Sequence, residues 1–189
     1  MQVKEFEQFK LVGGTSLALR RGYRNSVDID LFTETRFDPI IIGNIISNQF
    51  KGQLLVSYSF MLQYIVNEVK IDFVNNGLSE VYPIEKIGNI RISSELDVAA
   101  LKLNAVCGRG AKKDFIDIYV LLQHYSLAEL LAVFKKKIPR TDLGIVLKSL
   151  LYFEDAEHDK MPELFIKLSW QEIKLGIEKK VKQYFIANS

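Results

Sequence analysis

The sequence contains a single cysteine, Cys107, so no intrachain disulfide and no thiolate metal cluster can form. Histidine is almost as scarce. His124 and His158 lie far apart, and each reads as a surface or helix-end residue rather than a metal ligand. Long apolar runs are missing: none approaches the ~20 residues of a membrane span. The N-terminal stretch MQVKEFEQFK lacks the apolar core of a signal peptide, so the expectation is a cytoplasmic protein with no membrane segment. An excess of one charge is missing too, since 25 Lys and Arg stand against 23 Asp and Glu. A net charge of +2 neither implies nucleic acid nor excludes it. What is present suits a globular chain of 189 residues, with 48% apolar residues, enough for a real core.

The first half alternates short strand-like and helical stretches. Residues 9–12 read as a strand stopping at Gly13-Gly14, and Thr15 to Arg21 as a short helix with Thr15 or Ser16 near its N-cap and Gly22 ending it. Ser26 to Phe32 alternates polar and apolar residues and reads as a half-buried strand. Pro39 to Phe50 is apolar at helical spacing. Residues 54–58, 61–66 and 69–74 read as three antiparallel strands, with Asn67-Glu68 turning between the last two. Ile90 to Ile92 makes one more short strand.

Beyond Ser93 the pattern is helical, with helices predicted over 94–108, 114–124, 127–137, 142–152 and 169–187. Residues 154–162 are acidic, carry a proline and read as a surface stretch. The sum is an α+β arrangement: an α/β core over residues 1–93 and a helical region over 94–189 packed on it.

Several positions carry candidate chemistry. Gly13-Gly14 between strand and helix lets a ligand approach without a Cβ in the way, and the following helix start suits a phosphate. Thr15 and Ser16 add hydroxyl donors. The same glycines also serve as a plain strand-to-helix turn. On a strand, Asp28 and Asp30 share a face roughly 7 Å apart at Cα, with Val27, Ile29 and Leu31 pointing into the core. Two such carboxylates invite a cation. Magnesium fits, because it takes hard oxygen ligands, few of them from protein; a solvated polar strand face is the alternative.

Asp72 alternates with core-facing Val69, Ile71 and Phe73. If its strand lies beside that of Asp30, three carboxylates share one face, two for metal and one to accept a proton. Lys102 and Arg109 lie seven apart on one helix stripe and could clasp triphosphate oxygens, or form a solvated basic face. Asp114 reads as a helix N-cap with Asp117 in the first turn, and Asp117 is open to a further role.

Taken together, Val12-Gly13-Gly14-Thr15-Ser16-Leu17-Ala18-Leu19 and Arg24-Asn25-Ser26-Val27-Asp28-Ile29-Asp30-Leu31-Phe32 resemble the first motif of the AbiEii/AbiGii toxin family. These are nucleotidyltransferase-fold proteins of bacterial abortive-infection and type IV toxin–antitoxin systems. The resemblance continues through Val69-Lys70-Ile71-Asp72-Phe73, Ala100-Leu101-Lys102-Leu103-Asn104-Ala105, Arg109 to Tyr119, Tyr152 to Glu157 and Trp170, covering nearly the whole chain.

It implies a nucleotidyltransferase-like mixed sheet with flanking helices, followed by a helical C-terminal part. It also implies Gly13, Gly14, Thr15, Arg24, Ser26, Lys102 and Arg109 at the nucleotide, Asp28 and Asp30 on Mg2+, and Asp28, Asp30, Asp72, Lys102 and Asp117 in catalysis. Only about a dozen residues precede the Gly-Gly, where many relatives carry one or more helices.

The expected activity is transfer of a nucleoside monophosphate from an NTP to an acceptor hydroxyl, with RNA such as the tRNA 3′ end favoured. A cognate antitoxin encoded nearby is the expected partner. RNA needs positive surface, and the candidates are Lys112-Lys113, Lys135-Lys136-Lys137 with Arg140, and Lys179-Lys180 with Lys182. A protein-nucleotidylating enzyme and a non-catalytic nucleotide- or RNA-binding module are the competing readings.

Overall fold

The computed structural model describes residues 1–188, which divide into two compact units. The first joins Met1–Leu19 to Ser26–Ser94. The second joins Arg20–Asn25 to the chain from Glu95 onward. The chain therefore leaves the first unit for six residues in the middle of the first sequence motif.

The first unit is a seven-stranded mixed sheet built from β1 (Lys10–Val12), β2 (Ile29–Thr33), β3 (Gln53–Tyr58), β4 (Met61–Val66), β5 (Val69–Asn75), β6 (Glu85–Ile87) and β7 (Ile90–Ile92). Their order is β3-β4-β5-β2-β1-β7-β6. β2 runs parallel to β5 and antiparallel to β1, while β1 and β7 are parallel. Helix α1 (Gly13–Arg21) leaves β1 directly, and α2 (Pro39–Phe50) starts from an Asp38 cap that accepts the Ile40 and Ile41 amides, with proline in the first turn.

Alternation along the strands sorts the faces. Leu11, Leu31 and Phe73 point to one side, where they meet Phe9, Ile42 and Ile46 in the core. The Asn67-Glu68 turn has positive φ at both residues, 50° and 66°, the two-residue geometry that matches strand twist. It sets Gln63 opposite Asp72.

The second unit is helical: α3 (Glu95–Gly108), α4 (Lys112–Leu121), α5 (Leu127–Lys137), α6 (Leu143–Ser149), α7 (Glu154–Glu157) and α8 (Trp170–Ala187). α3 packs on α4, α5 and α6, and α8 packs on α4 and α5. Ser126 and Ser169 each open a helix with a full capping box, to Glu129 and Glu172. Gly176 sits inside α8 because a Cβ there would come 2.4 Å from the Tyr119 ring. Among the described residues, no helix is long and apolar enough to cross a membrane.

The differences from the sequence-based expectation have local causes. α1 starts at Gly13 rather than Thr15, because Gly13 takes a φ of 69° that turns the chain straight out of β1. β2 starts at Ile29, so Val27 lies outside the strand and is 64% exposed instead of facing the core. β6 is an additional strand: Gly88-Asn89 closes a hairpin from Ile87 to Ile90, and β6 carries no buried residue to mark it in the sequence. α4 begins two residues before Asp114, with Ala111 in the capping position and no side-chain cap, which frees Asp114 for other partners.

Candidate active site

In the first unit the site is built around one register. Val12 lies opposite Asp30 across β1 and β2, and Asp30 lies opposite Asp72 across β2 and β5. Asp30 and Asp72 therefore share a face on adjacent strands, in keeping with the alternation around Asp72. The chain enters α1 beside the Asp30 carboxylate. It is so close that a Cβ on Gly13 would lie 2.0 Å from Asp30 Oδ2, so glycine is needed there for contact as well as for conformation.

Asp72 is buried and already engaged, accepting from Gln63 Nε2 at 3.0 Å and pairing with Lys70 Nζ at 3.1 Å. Asp28 precedes the strand, in the segment that joins Ser26 to β2. Among the described residues no three His, Cys, Asp or Glu side chains gather into a group that could hold a metal ion. The candidate donors are the two carboxylates of Asp28 and Asp30, and both residues have partners within the protein. Their hard oxygens and low number suit Mg2+, which completes its shell with phosphate and water.

The hydroxyls do something the sequence does not show. Thr15 Oγ1 donates a hydrogen bond to the Asp28 carbonyl and lies 3.0 Å from Ser26 Oγ. The first turn of α1 is thereby tied to the segment carrying Asp28. Ser16 Oγ turns back to the Gly13 carbonyl at 2.7 Å.

In the second unit Arg24, Lys102, Arg109, Asp114 and Asp117 form one ion network. Arg24 grips Asp117 in a fork, Nε to Oδ1 at 2.7 Å and Nη2 to Oδ2 at 2.9 Å. Tyr23 donates its hydroxyl to Asp117 Oδ1 at 2.6 Å. Lys102 Nζ bridges Asp117 Oδ2 at 2.6 Å and Asp114 Oδ1 at 2.9 Å. Arg109 reaches Asp114 from the surface, at 2.8 and 3.0 Å.

Burial alone would raise both aspartates. The Lys102 charge and the Arg24 hydrogen bonds outweigh it at Asp117, and Arg109 together with Lys102 outweighs it at Asp114, so both carboxyls are held below the usual range. Burial would lower Lys102, but the charges of Asp117 and Asp114 hold it above the usual lysine value. Lys102 and Arg109, read from the sequence as a pair for triphosphate oxygens, both bond Asp114 in this structure. Tyr23 escapes sequence reasoning, since nothing around Gly22-Tyr23-Arg24 marks a buried hydroxyl.

Lysines of the predicted basic clusters have partners too, Lys135 donating to the Pro139 carbonyl at 2.9 Å. Lys112 donates to the Glu157 and Asp159 carbonyls beneath Trp170, and Lys137 pairs with Asp97 at 2.8 Å in a fully buried pair. Lys113, Lys136, Lys179 and Lys182 remain at the surface.

The fold is that of the nucleotidyltransferases. MenT4, a nucleotidyltransferase toxin of Mycobacterium tuberculosis H37Rv, superposes with a TM-score of 0.63 at 15% identity, covering 92% of this chain and 74% of that one. JHP933 from Helicobacter pylori superposes with a TM-score of 0.55 at 19% identity, covering 96% and 88%. In sequence, the uncharacterised protein aq_aa25 of Aquifex aeolicus (strain VF5) is 34% identical over 182 residues, covering 93% of this chain and 87% of that protein. Residues 1–183 match the family described as nucleotidyl transferase AbiEii toxin, type IV TA system. The chain belongs to that family and is a nucleotidyltransferase toxin.

Proposed function

We propose that this enzyme binds an NTP with Mg2+ held by Asp28 and Asp30, and transfers the nucleoside monophosphate to the 3′ hydroxyl of an RNA such as tRNA. A cognate antitoxin would restrain it, as the type IV family implies. The observation that carries the reading is the register placing Asp30 between Gly13 and Asp72. A helix start suits phosphate oxygens; here the glycine turn into α1 lies against the Asp30 carboxylate, and Asp28 stands in the segment just before β2.

When bound, magnesium would neutralise triphosphate charge, the main need in phosphoryl-type transfer. The acceptor oxygen forms its bond to the α-phosphorus as the bond to pyrophosphate breaks. The acceptor proton passes to a carboxylate, for which Asp72 is the candidate. Arg109 is the basic side chain of the second unit's network that is largely exposed, with 59% of its side chain open, and it remains the candidate for phosphate contact there. Lys113, Lys179 and Lys182 support an RNA acceptor.

Incubation with each α-labelled NTP, Mg2+ and total bacterial RNA tests this, beside an Asp28→Ala/Asp30→Ala control. Label should enter small RNA with the wild type alone. Label on protein instead would replace the RNA acceptor, and no label with no Mg2+-dependent NTP binding would overturn the whole reading.

A further inference from the structure

We propose that Asp117 and Lys102 are positioning residues: they hold the Tyr23–Arg24 segment, two residues before Ser26 and four before Asp28, and touch neither metal nor nucleotide. The proposal rests on the nucleotidyl-transfer reading given above. It follows from counting bonds on Asp117. A carboxylate offers about four lone-pair sites. Here Oδ1 accepts from Tyr23 Oη and Arg24 Nε, while Oδ2 accepts from Arg24 Nη2 and Lys102 Nζ. All four are taken, and the side chain is 0% exposed. No site is left to bind a cation or to take a proton. Lys102 is likewise almost fully buried, with its ammonium on two carboxylates.

The excursion is anchored throughout its length. Before it turns back, Arg21 forms a second fork on Glu95, at 2.7 and 2.5 Å, and Tyr125 braces the same carboxylate at 2.9 Å. The backbone is also fastened: Phe165 N donates to Tyr23 O at 2.9 Å and Asn25 N to Glu163 O at 2.9 Å. Residues 20–25 thus belong structurally to the helical unit while lying in sequence between Gly13-Gly14 and Asp28. Arg24 is thus held two residues along the chain from Ser26. Lys102 and the Asp114–Asp117 spacing are accounted for as the frame that keeps Asp117 charged and correctly turned towards Arg24.

Two measurements on the full chain test this. First, amine-reactive labelling read by mass spectrometry, with and without Mg2+ and a mixture of the four NTPs: Lys102 should stay unlabelled in both states while Lys113 labels in both. Labelling of Lys102 that NTP protects would make it a phosphate ligand and overturn the proposal. Second, transfer kinetics of Arg24→Gln, Asp117→Asn and the double variant. Misplacing a reacting group by ~1 Å costs roughly 100-fold, so each single variant should lose about that in kcat. The double should be no worse than the worse single, and Arg24→Lys should recover at least about tenfold. A double variant whose losses multiply, or an Arg24→Gln enzyme with wild-type kcat beside an inactive Asp117→Asn, would return Asp117 to the chemistry. Should these variants fail to fold by circular dichroism, the labelling result on the wild type decides alone. A wild type without transfer activity overturns the nucleotidyl-transfer reading, and the Lys102 labelling pattern then tests the network separately.

Discussion

Replacing Gly13 by alanine separates two costs that usually arrive together. Gly13 and Gly22 both hold positive φ, 69° and 61°. An L-residue in that region costs about 1–2 kcal/mol, so each Gly→Ala change should lower Tm by a few degrees, at about 2–4 °C per kcal/mol for a chain of this size. At Gly22 nothing lies within 4 Å of an added Cβ, so the backbone cost is all there is. At Gly13 the new Cβ would stand 2.0 Å from Asp30 Oδ2 and 2.9 Å from its Cγ.

Ordinary contact begins at 3.4 Å, so the carboxylate must withdraw by more than 1 Å. A displacement of that size costs about 100-fold in rate, or ~2.7 kcal/mol of transition-state stabilisation. Thermal melts by circular dichroism measure the first effect, and single-turnover transfer of an α-labelled NTP measures the second. Gly22→Ala should lose stability alone, and Gly13→Ala both stability and rate. If Gly13→Ala turns over as fast as the wild type, the Asp30 carboxylate is not needed where β2 and α1 place it, and the site must be rebuilt around other groups.

Thr15 offers a test of the segment that carries Asp28. Thr15→Val deletes the hydroxyl that ties α1 to the Asp28 carbonyl and should lower kcat by about 10–100-fold, while Thr15→Ser, which keeps the donor, should restore most of it. Acid should destabilise the protein through Asp114 and Asp117. Their folded-state carboxyls lie below the unfolded value, so the stability they add is present above the ordinary aspartate pKa, about 3.9, and is lost as pH falls through their depressed range. Melts from pH 7 to 2.5 should hold Tm level down to about pH 5 and drop steeply below about pH 4; Asp117→Asn should flatten that drop, and an unchanged slope would place the acid sensitivity elsewhere. At Gly176 two terms compete: alanine gains ~1 kcal/mol of helix propensity and loses about 1–3 kcal/mol by overpacking against Tyr119. Gly176→Ala should therefore melt lower than the wild type, and an added Tyr119→Ala should remove the overpacking penalty; a stabilised single variant would mean the ring moves aside freely.

The parts of the fold that are legible are those where periodicity and turn chemistry agree. β4 and α5 can be read to the residue because each couples an alternating or 3.6-residue apolar pattern to a clear boundary, the Asn67-Glu68 turn for one and the Ser126–Glu129 box for the other. The same turn sets the register that brings Gln63 opposite Asp72; that the amide then bonds the carboxylate is seen only in the folded chain. β6 leaves no such trace, since a strand with all three residues exposed has no face to reveal. Alternation puts Asp30 and Asp72 each on the polar side of its own strand. That β2 and β5 are neighbours, and parallel, depends on a pairing between strands some forty residues apart that no local pattern encodes.

Charge is the least legible property, and for a physical reason. A lysine beside a lysine reads as solvated surface, because burying an unpaired ammonium is prohibitive. The rule fails when the partner is distant in sequence: Lys137 meets Asp97 forty residues away, and Arg24 meets Asp117 ninety-three away. Ion pairs of this kind are poor at stabilising a fold compared with apolar packing of the same volume, but breaking one of them leaves a charge stranded in the interior at a cost of about 3–5 kcal/mol. Such pairs therefore tolerate few arrangements, and they fix geometry more than they add stability. A chain that gives six residues from the middle of its first motif to its helical unit has use for that property. The excursion from Arg20 to Asn25 carries too little apolar surface to hold itself, with Tyr23 as its one buried apolar side chain. The two arginine forks supply by direction what burial cannot supply there, and they do so immediately before Ser26 and Asp28, where the proposed site begins.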